Sequence, residues 1–235
     1  MPLAATSITA RVVLVRHGQS RATVDRVAGG ERGCRGLSEL GRRQARALGD
    51  RLSGSGELAA TTALLASTLP RAVETAELIA PALGGLPVER ERELCELEPG
   101  EGDGLTWDVW GKRYEGFDMA AEPFRPLSPG GESWAEFGLR AGRALSRVAG
   151  RFVGTTVVVA CHGGIIEQSM LNGLHLPAQR PPGRRLETAP NTSLTEWLVD
   201  VVPGRAQHWR LVRFADAAHL RADGEPRGLG GPRPV

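Results

Sequence analysis

The chain has 235 residues, of which 41% are hydrophobic and 24% charged, and its formal net charge is +2. These proportions fit a soluble globular protein with a full core, within range for one α/β domain. Nearly all the positive charge is arginine, Lys112 being the single lysine, and no basic block tracks a phosphate backbone, which argues against nucleic-acid binding. Cys34, Cys95 and Cys161 have no metal-ligand spacing and cannot all pair, as expected in a reducing compartment. No apolar run approaches the roughly 18 residues of a membrane span. The opening MPLAATSITARVV lacks the charged start and apolar centre of a secretory signal. A cytoplasmic protein without membrane association is the expectation.

In chain order, Arg11–Val15 reads as a short buried strand. Over residues 38–53, Leu40, Gln44, Ala45, Leu48 and Leu52 recur at helical spacing. Ser38 stands ready as a cap, and Gly54 and Gly56 mark the stop. Thr62–Ala66 is a second strand. Pro70 opens a helix with Val73, Ala76 and Ile79 on one face, broken near Pro81, and Val88 marks a third strand. Residues 99–131 are irregular apart from a short helix at Trp107–Tyr114. A long helix over Ser133–Ala149 carries Trp134, Phe137, Ala141, Leu145 and Val148 in one stripe. Thr155–Ala160 is a strand and Gly164–Leu174 a helix. Thr192–Val201 and His208–Phe214 alternate like strands around a turn at Pro203-Gly204. One domain over residues 1–220 is expected, with 104–131 inserted over the site and 221–235 a loose tail.

Strands alternating with helices predict an α/β fold, a three-layer α-β-α sandwich with a mostly parallel central sheet. In such sheets ligands bind beyond the carboxyl ends of the strands. His17 and His162 each follow a strand, so both belong on that rim. The glycine after each, Gly18 and Gly163, lets the backbone turn and approach a ligand. One Arg-His-Gly alone reads first as a structural corner; the second His-Gly at an equivalent strand end shifts the balance. Arg71 falls in the first turn of a helix on the same rim, against the macrodipole, which suggests an anion to offset the repulsion. Two guanidinium groups, Arg16 and Arg71, with two imidazoles suit a phosphoryl group.

In the order VVLVRHGQS, LSELGRRQA, STLPRAVETA, ELCELEPGEGDG, GGESW and VVVACHGG, the chain resembles the histidine phosphatase superfamily, the phosphoglycerate mutase-like proteins, over about residues 11–200. The resemblance implies His17 as the nucleophile that forms a phosphohistidine, with Arg16, Arg71 and His162 clamping the phosphoryl oxygens and no metal or other cofactor taking part. The leaving oxygen also needs a proton, and Glu91, Glu93, Glu96, Glu98, Glu101 and Asp103 crowd one segment. The family pattern Leu-x-Glu-x-x-x-Gly-x-x-x-Gly matches Leu94, Glu96, Gly100 and Gly104, which selects Glu96, with Glu98 and Glu101 in reserve. Thr23 stands where the family often has asparagine and retains a hydroxyl for a phosphate oxygen. GCRGLS replaces the usual approach to the first long helix. Cys161 is expected to be a buried filler, and His175, His208 and His219 to lie off the rim. Trp107, Trp110, Tyr114, Phe117 and Phe124 make 104–131 the most aromatic segment, where Arg113 and Arg125 are candidates to meet an anionic substrate.

The expected function is that of a metal-independent phosphomonoesterase acting on a small phosphorylated metabolite. The alternatives are mutase-type phosphotransfer, against which the absence of a Trp-Asn pair at Arg21-Ala22-Thr23 counts, and a catalytically silent phospholigand-binding module. Physiological substrate and oligomeric state are not legible at this level.

Overall fold

The computed structural model describes residues 8–114, 121–176, 188–202 and 206–222. β1 (Ile8–Arg16) is followed by the single turn α1 (Arg21–Val24) and then by α2 (Glu39–Ser55). β2 (Thr61–Ala66), α3 (Pro70–Ile79) and the short β3 (Val88–Arg90) form the next unit. After a loop with two 3₁₀ turns come α4 (Trp107–Arg113) and α5 (Trp134–Arg151). The chain then runs through β4 (Thr156–Cys161), α6 (Gly163–Gly173), β5 (Leu194–Val201), β6 (His208–Asp216) and α7 (His219–Ala222). The turn expected at Pro203-Gly204 and residues 223–235 of the expected tail lie outside the described residues; α7 reaches into the start of that tail.

Local chemistry sets the helix ends. Ser38 accepts from Gly41 N at 3.1 Å at the start of α2, and Gly56, at φ 65°, ends it in the left-handed region. Ser133 and Glu136 close a reciprocal capping box at the start of α5. β1 begins three residues earlier than hydrophobicity indicated, because Ile8, Thr9 and Ala10 pair with Val201, Asp200 and Val199 although Ile8 stays exposed. Of these three only Ala10 is buried, so the ladder carries the strand beyond the continuous apolar run.

The sheet order is β3-β2-β4-β1-β5-β6. The first four strands are mutually parallel; β5 runs antiparallel to β1 and to β6. Alternate residues of each central strand feed opposite cores. Val12, Leu14, Val157 and Val159 pack with Phe137, Leu145 and Ile165 of α5 and α6, whereas Val13, Val15, Val158 and Ala160 pack with Leu48, Leu52, Val73 and Ile79 of α2 and α3. The result is the expected three-layer sandwich. Because β1 and β4 are parallel neighbours with Arg16 opposite Cys161, their next residues, His17 and His162, emerge side by side.

The turn after β1 is tied to α2 by a backbone crossing. A Cβ at Gly18 would lie 2.4 Å from Gly41 O, and a Cβ at Gly41 would lie 2.1 Å from Gln19 O. Neither neighbour is a side chain that can swing away. Gly41→Ala is expected to lower folding stability by about 1–3 kcal/mol, the range for overpacking, read as a reduced denaturation midpoint; an unchanged midpoint would show that the crossing is looser than described.

Candidate active site

Four segments meet at the carboxyl rim: the turn after β1, the N-terminus of α3, the loop after β3, and the β4–α6 junction. They enclose a cavity of about 250 Å³ whose wall includes Arg16, His17, Thr23, Arg71, Glu96 and Gly163. His162 is fully buried and is not on that wall; its ring packs against His17, centroids 5.1 Å apart. All seven residues singled out in the sequence are thus brought to one place. The reserves are not: Glu98 pairs with Arg92 at 2.6 Å and Glu101 with Arg113 at 3.8 Å, and both face a neighbouring cavity.

Arg16 ends β1, is buried, and donates to Ala189 O. His17 is held from three sides. Its N donates to Cys161 O at 2.9 Å, its carbonyl accepts from Asn191 Nδ2 at 2.8 Å, and its ring Nδ1 lies 2.6 Å from Gly18 O. A carbonyl only accepts, so Nδ1 carries the ring proton and Nε2 keeps its lone pair. Arg71 Nε donates to that Nε2 at 3.1 Å, and its Nη1 donates to Gly29 O at 2.6 Å. Burial, then the charges of Arg71 and Arg16, hold the His17 imidazole well below its ordinary 6.5; the Gly18 carbonyl opposes them less strongly.

His162 occupies the N-cap position of α6 without capping it through its side chain. Its Nε2 lies 2.6 Å from Ser67 Oγ. That hydroxyl also accepts from Leu69 N at 3.3 Å. The Nδ1 of His162 is buried and has no hydrogen-bond partner among the described residues. Burial, followed by Arg71, His17 and Arg16, pushes this imidazole well down too. Burial pushes the Cys161 thiol up, in keeping with a filler rather than a nucleophile.

Glu96 reaches the first turn of α6: Oε2 accepts from Gly164 N at 3.0 Å and Oε1 from Leu97 N at 3.2 Å. A Cβ at Gly164 would fall 2.1 Å from Glu96 Oε1, so only glycine leaves room for the carboxylate there. Thr23 Oγ1 lies 2.9 Å from Ser20 Oγ, and Ser20 shares the wall. Ser20 and Ser67 lie inside the VVLVRHGQS and STLPRAVETA motifs, which assign them no role, and the Gly29 carbonyl belongs to no motif.

Of the aromatic insertion, Trp107 and Trp110 line the cavity, as does Leu127, whereas Phe124 is exposed and Phe117 lies outside the described residues. Arg113 and Arg125 pair with Glu101 and Glu122 instead of lining the wall. His208 is exposed beside Asp200, and buried His219 lies 2.9 Å from Thr192 Oγ1, both off the cavity. Among the described residues no group of three or more His, Cys, Asp and Glu side chains is placed to hold a metal ion, and no helix is long and apolar enough to cross a membrane.

The two depressed imidazoles have a pH consequence. In the unfolded chain each takes up a proton below about 6.5 that the folded chain refuses, so stability falls on acidification, with a slope approaching about 1.4 kcal/mol per pH unit per histidine. Histidine NMR should find both rings neutral at pH 6, with the proton of His17 on Nδ1, and Ser67→Ala should disturb the His162 ring alone. Midpoints at or above 6.5 for either ring would contradict this electrostatic picture.

Comparison with known proteins agrees with this geometry. Residues 12–217 match the model of the histidine phosphatase superfamily (branch 1). The chain is 31% identical over 230 residues to phosphoglycerate mutase-like protein 4 of Arabidopsis thaliana, covering 95% of this chain and 93% of that protein. It is 29% identical over 219 residues to the metal-independent phosphoserine phosphatase of Arabidopsis thaliana, covering 91% and 84%. Among solved structures, a mycobacterial glucosyl-3-phosphoglycerate phosphatase complexed with VO3 superposes with a TM-score of 0.70 at 27% identity, over 86% of this chain and 97% of that one. The chain therefore belongs to the histidine phosphatase superfamily and is a phosphatase of that type.

Proposed function

We propose that the protein is a metal-independent phosphomonoesterase that works through a phosphohistidine on His17 and acts on a small phosphorylated metabolite. The observation that carries this reading is the state of His17: neutral, its Nδ1–H committed to Gly18 O, and its Nε2 lone pair at the cavity wall beside two guanidinium groups. Such an imidazole is nucleophilic without prior loss of a proton. The bound phosphoryl group takes over the Arg71 N–H now directed at Nε2, which frees the lone pair.

In the first step Nε2 forms a bond to phosphorus while the ester P–O bond breaks, its electrons passing to the leaving oxygen. Arg16 and Arg71 neutralise charge on the three remaining phosphoryl oxygens, and His162, packed against His17 with its Nδ1 unpartnered among the described residues, completes the donor set. Glu96, held at the start of α6, acts as the general acid and delivers a proton to the departing alcohol. In the second step water attacks phosphorus, Glu96 takes the water's proton, and inorganic phosphate leaves as His17 recovers its lone pair. Thr23 and the Gly163 backbone take part in seating the substrate. The relatives named as phosphatases support this direction, and the placement of Glu98 and Glu101 off the cavity supports Glu96 as the acid.

Steady-state hydrolysis of phosphate monoesters tests the reading. His17→Ala should lower kcat by at least about 1000-fold, as removal of a nucleophile does. Glu96→Gln should cost about 100-fold on alkyl phosphates, within the range for general acid–base catalysis, and less on p-nitrophenyl phosphate, whose leaving group needs no proton. Glu98→Gln should leave the rate essentially unchanged. Equal losses at the two glutamates would remove Glu96 from the mechanism.

A further inference from the structure

The cavity wall is chemically mixed. The two guanidiniums and His17 share it with the hydroxyls of Ser20, Thr23 and Thr188 and with an apolar set: Val27, Leu97, Trp107, Trp110, Leu127 and Trp134. Three indoles thus line one small cavity. Two of those rings are braced: Trp110 is 3% exposed, packs with Leu127 and meets Tyr114 edge-on with centroids 5.6 Å apart, while Trp134 leans on Phe137 at 5.5 Å. Trp107 is covered on one face by the Arg26 guanidinium, 5.2 Å from the ring centroid.

Among the described residues this apolar part of the wall carries no cation to complement an anionic substituent. Beyond Arg16 and Arg71, no Lys or Arg side chain lines the cavity among the described residues. The arginines of the wall-building segments are engaged elsewhere: Arg26 with Asp108 at 3.3 Å, Arg113 with Glu101, Arg125 with Glu122, and Arg140 with Glu132 at 2.6 Å. Among the described residues, the other acidic or basic side chain of the wall, besides those guanidiniums and His17, is Glu96, a carboxyl group that offers an anionic substituent no counter-charge. A carboxylate on the leaving group would lose its water here and gain no counter-ion. An apolar ring would instead displace water from indole and leucine surfaces, with edge and face contacts available to it.

We propose that the apolar part of the cavity wall selects phosphate esters of uncharged, apolar alcohols, aryl or arylalkyl in character, over esters that carry a second anionic group. The proposal rests on the phosphatase reading above and specifies its substrate class. This apolar wall acts on the leaving group, so the preference falls on kcat/KM and is governed by residues that never touch the transferred phosphoryl group.

Three primary or secondary alkyl esters with unactivated leaving groups provide the test: 3-phenylpropyl phosphate, glycerol 2-phosphate and O-phosphoserine. The expected order of kcat/KM places the phenylpropyl ester at least tenfold above glycerol 2-phosphate, and phosphoserine last. Leu127→Ala and Trp134→Ala should lower kcat/KM for the phenylpropyl ester at least fivefold more than for glycerol 2-phosphate, and Leu127→Arg should narrow the gap between the phenylpropyl ester and phosphoserine. The wild-type panel decides the matter even where a variant folds poorly. Phosphoserine or glycerol 2-phosphate turned over as well as the phenylpropyl ester would overturn the substrate class and leave the phosphatase reading standing. Failure to hydrolyse all three esters and p-nitrophenyl phosphate would overturn both.

Discussion

An imidazole buried between two guanidinium groups cannot afford a proton, and this is the constraint on which the rest of the site depends. In water a histidine near neutral pH is divided between two protonation states and two neutral tautomers. Here burial and the charges of Arg71 and Arg16 remove the cationic form of His17, and the Gly18 carbonyl selects one tautomer. What remains is one lone pair on Nε2, pointing where Arg71 points. The same cations that suppress the proton are those a phosphoryl dianion requires, so a single arrangement both prepares the nucleophile and receives its target.

The scaffold keeps that arrangement by register rather than by local stiffness. β1 and β4 are adjacent and parallel, with Arg16 opposite Cys161, so the two histidines leave the sheet as neighbours. α3 delivers Arg71 from the other side of β4 by way of β2, and α6 starts at once after His162, offering Gly164 N to Glu96. Small contacts then fix each group: Asn191 on the His17 carbonyl, Gly29 O on Arg71, Ser67 on His162. Asp103 accepts from the backbone N–H groups of Gly30, Arg32 and Gly33 and so steadies the loop that carries Gly29. An acidic residue that looked like a catalytic candidate in the sequence is thus occupied in holding a loop.

Much of this was legible in the sequence because the signals were physical. Buried strands ending in His-Gly, a helix opened by Pro70 with Arg71 in its first turn, and a cap at Ser38 each have one sensible structural consequence. The choice of Glu96 among six acidic residues came from a family pattern, since composition alone does not separate them. The parts that stayed hidden depend on long-range contact. Ser67 and Ser20 sit inside recognisable motifs, but their roles emerge only when the fold sets them beside His162 and Thr23. Arg113 and Arg125 looked available to substrate until their glutamate partners came into place. The antiparallel direction of β5 and the early start of β1 are properties of pairing between strands, which hydrophobic pattern does not encode.

The most direct measurement is a rapid quench during turnover of p-nitrophenyl phosphate, followed by peptide mapping under alkaline conditions that preserve phosphoramidate bonds. The account requires a phosphoryl group on His17, acid-labile, appearing at the rate of the first product and absent when His17 is replaced by alanine. Turnover with no phosphorylated residue, or with the label on any other side chain, would contradict it.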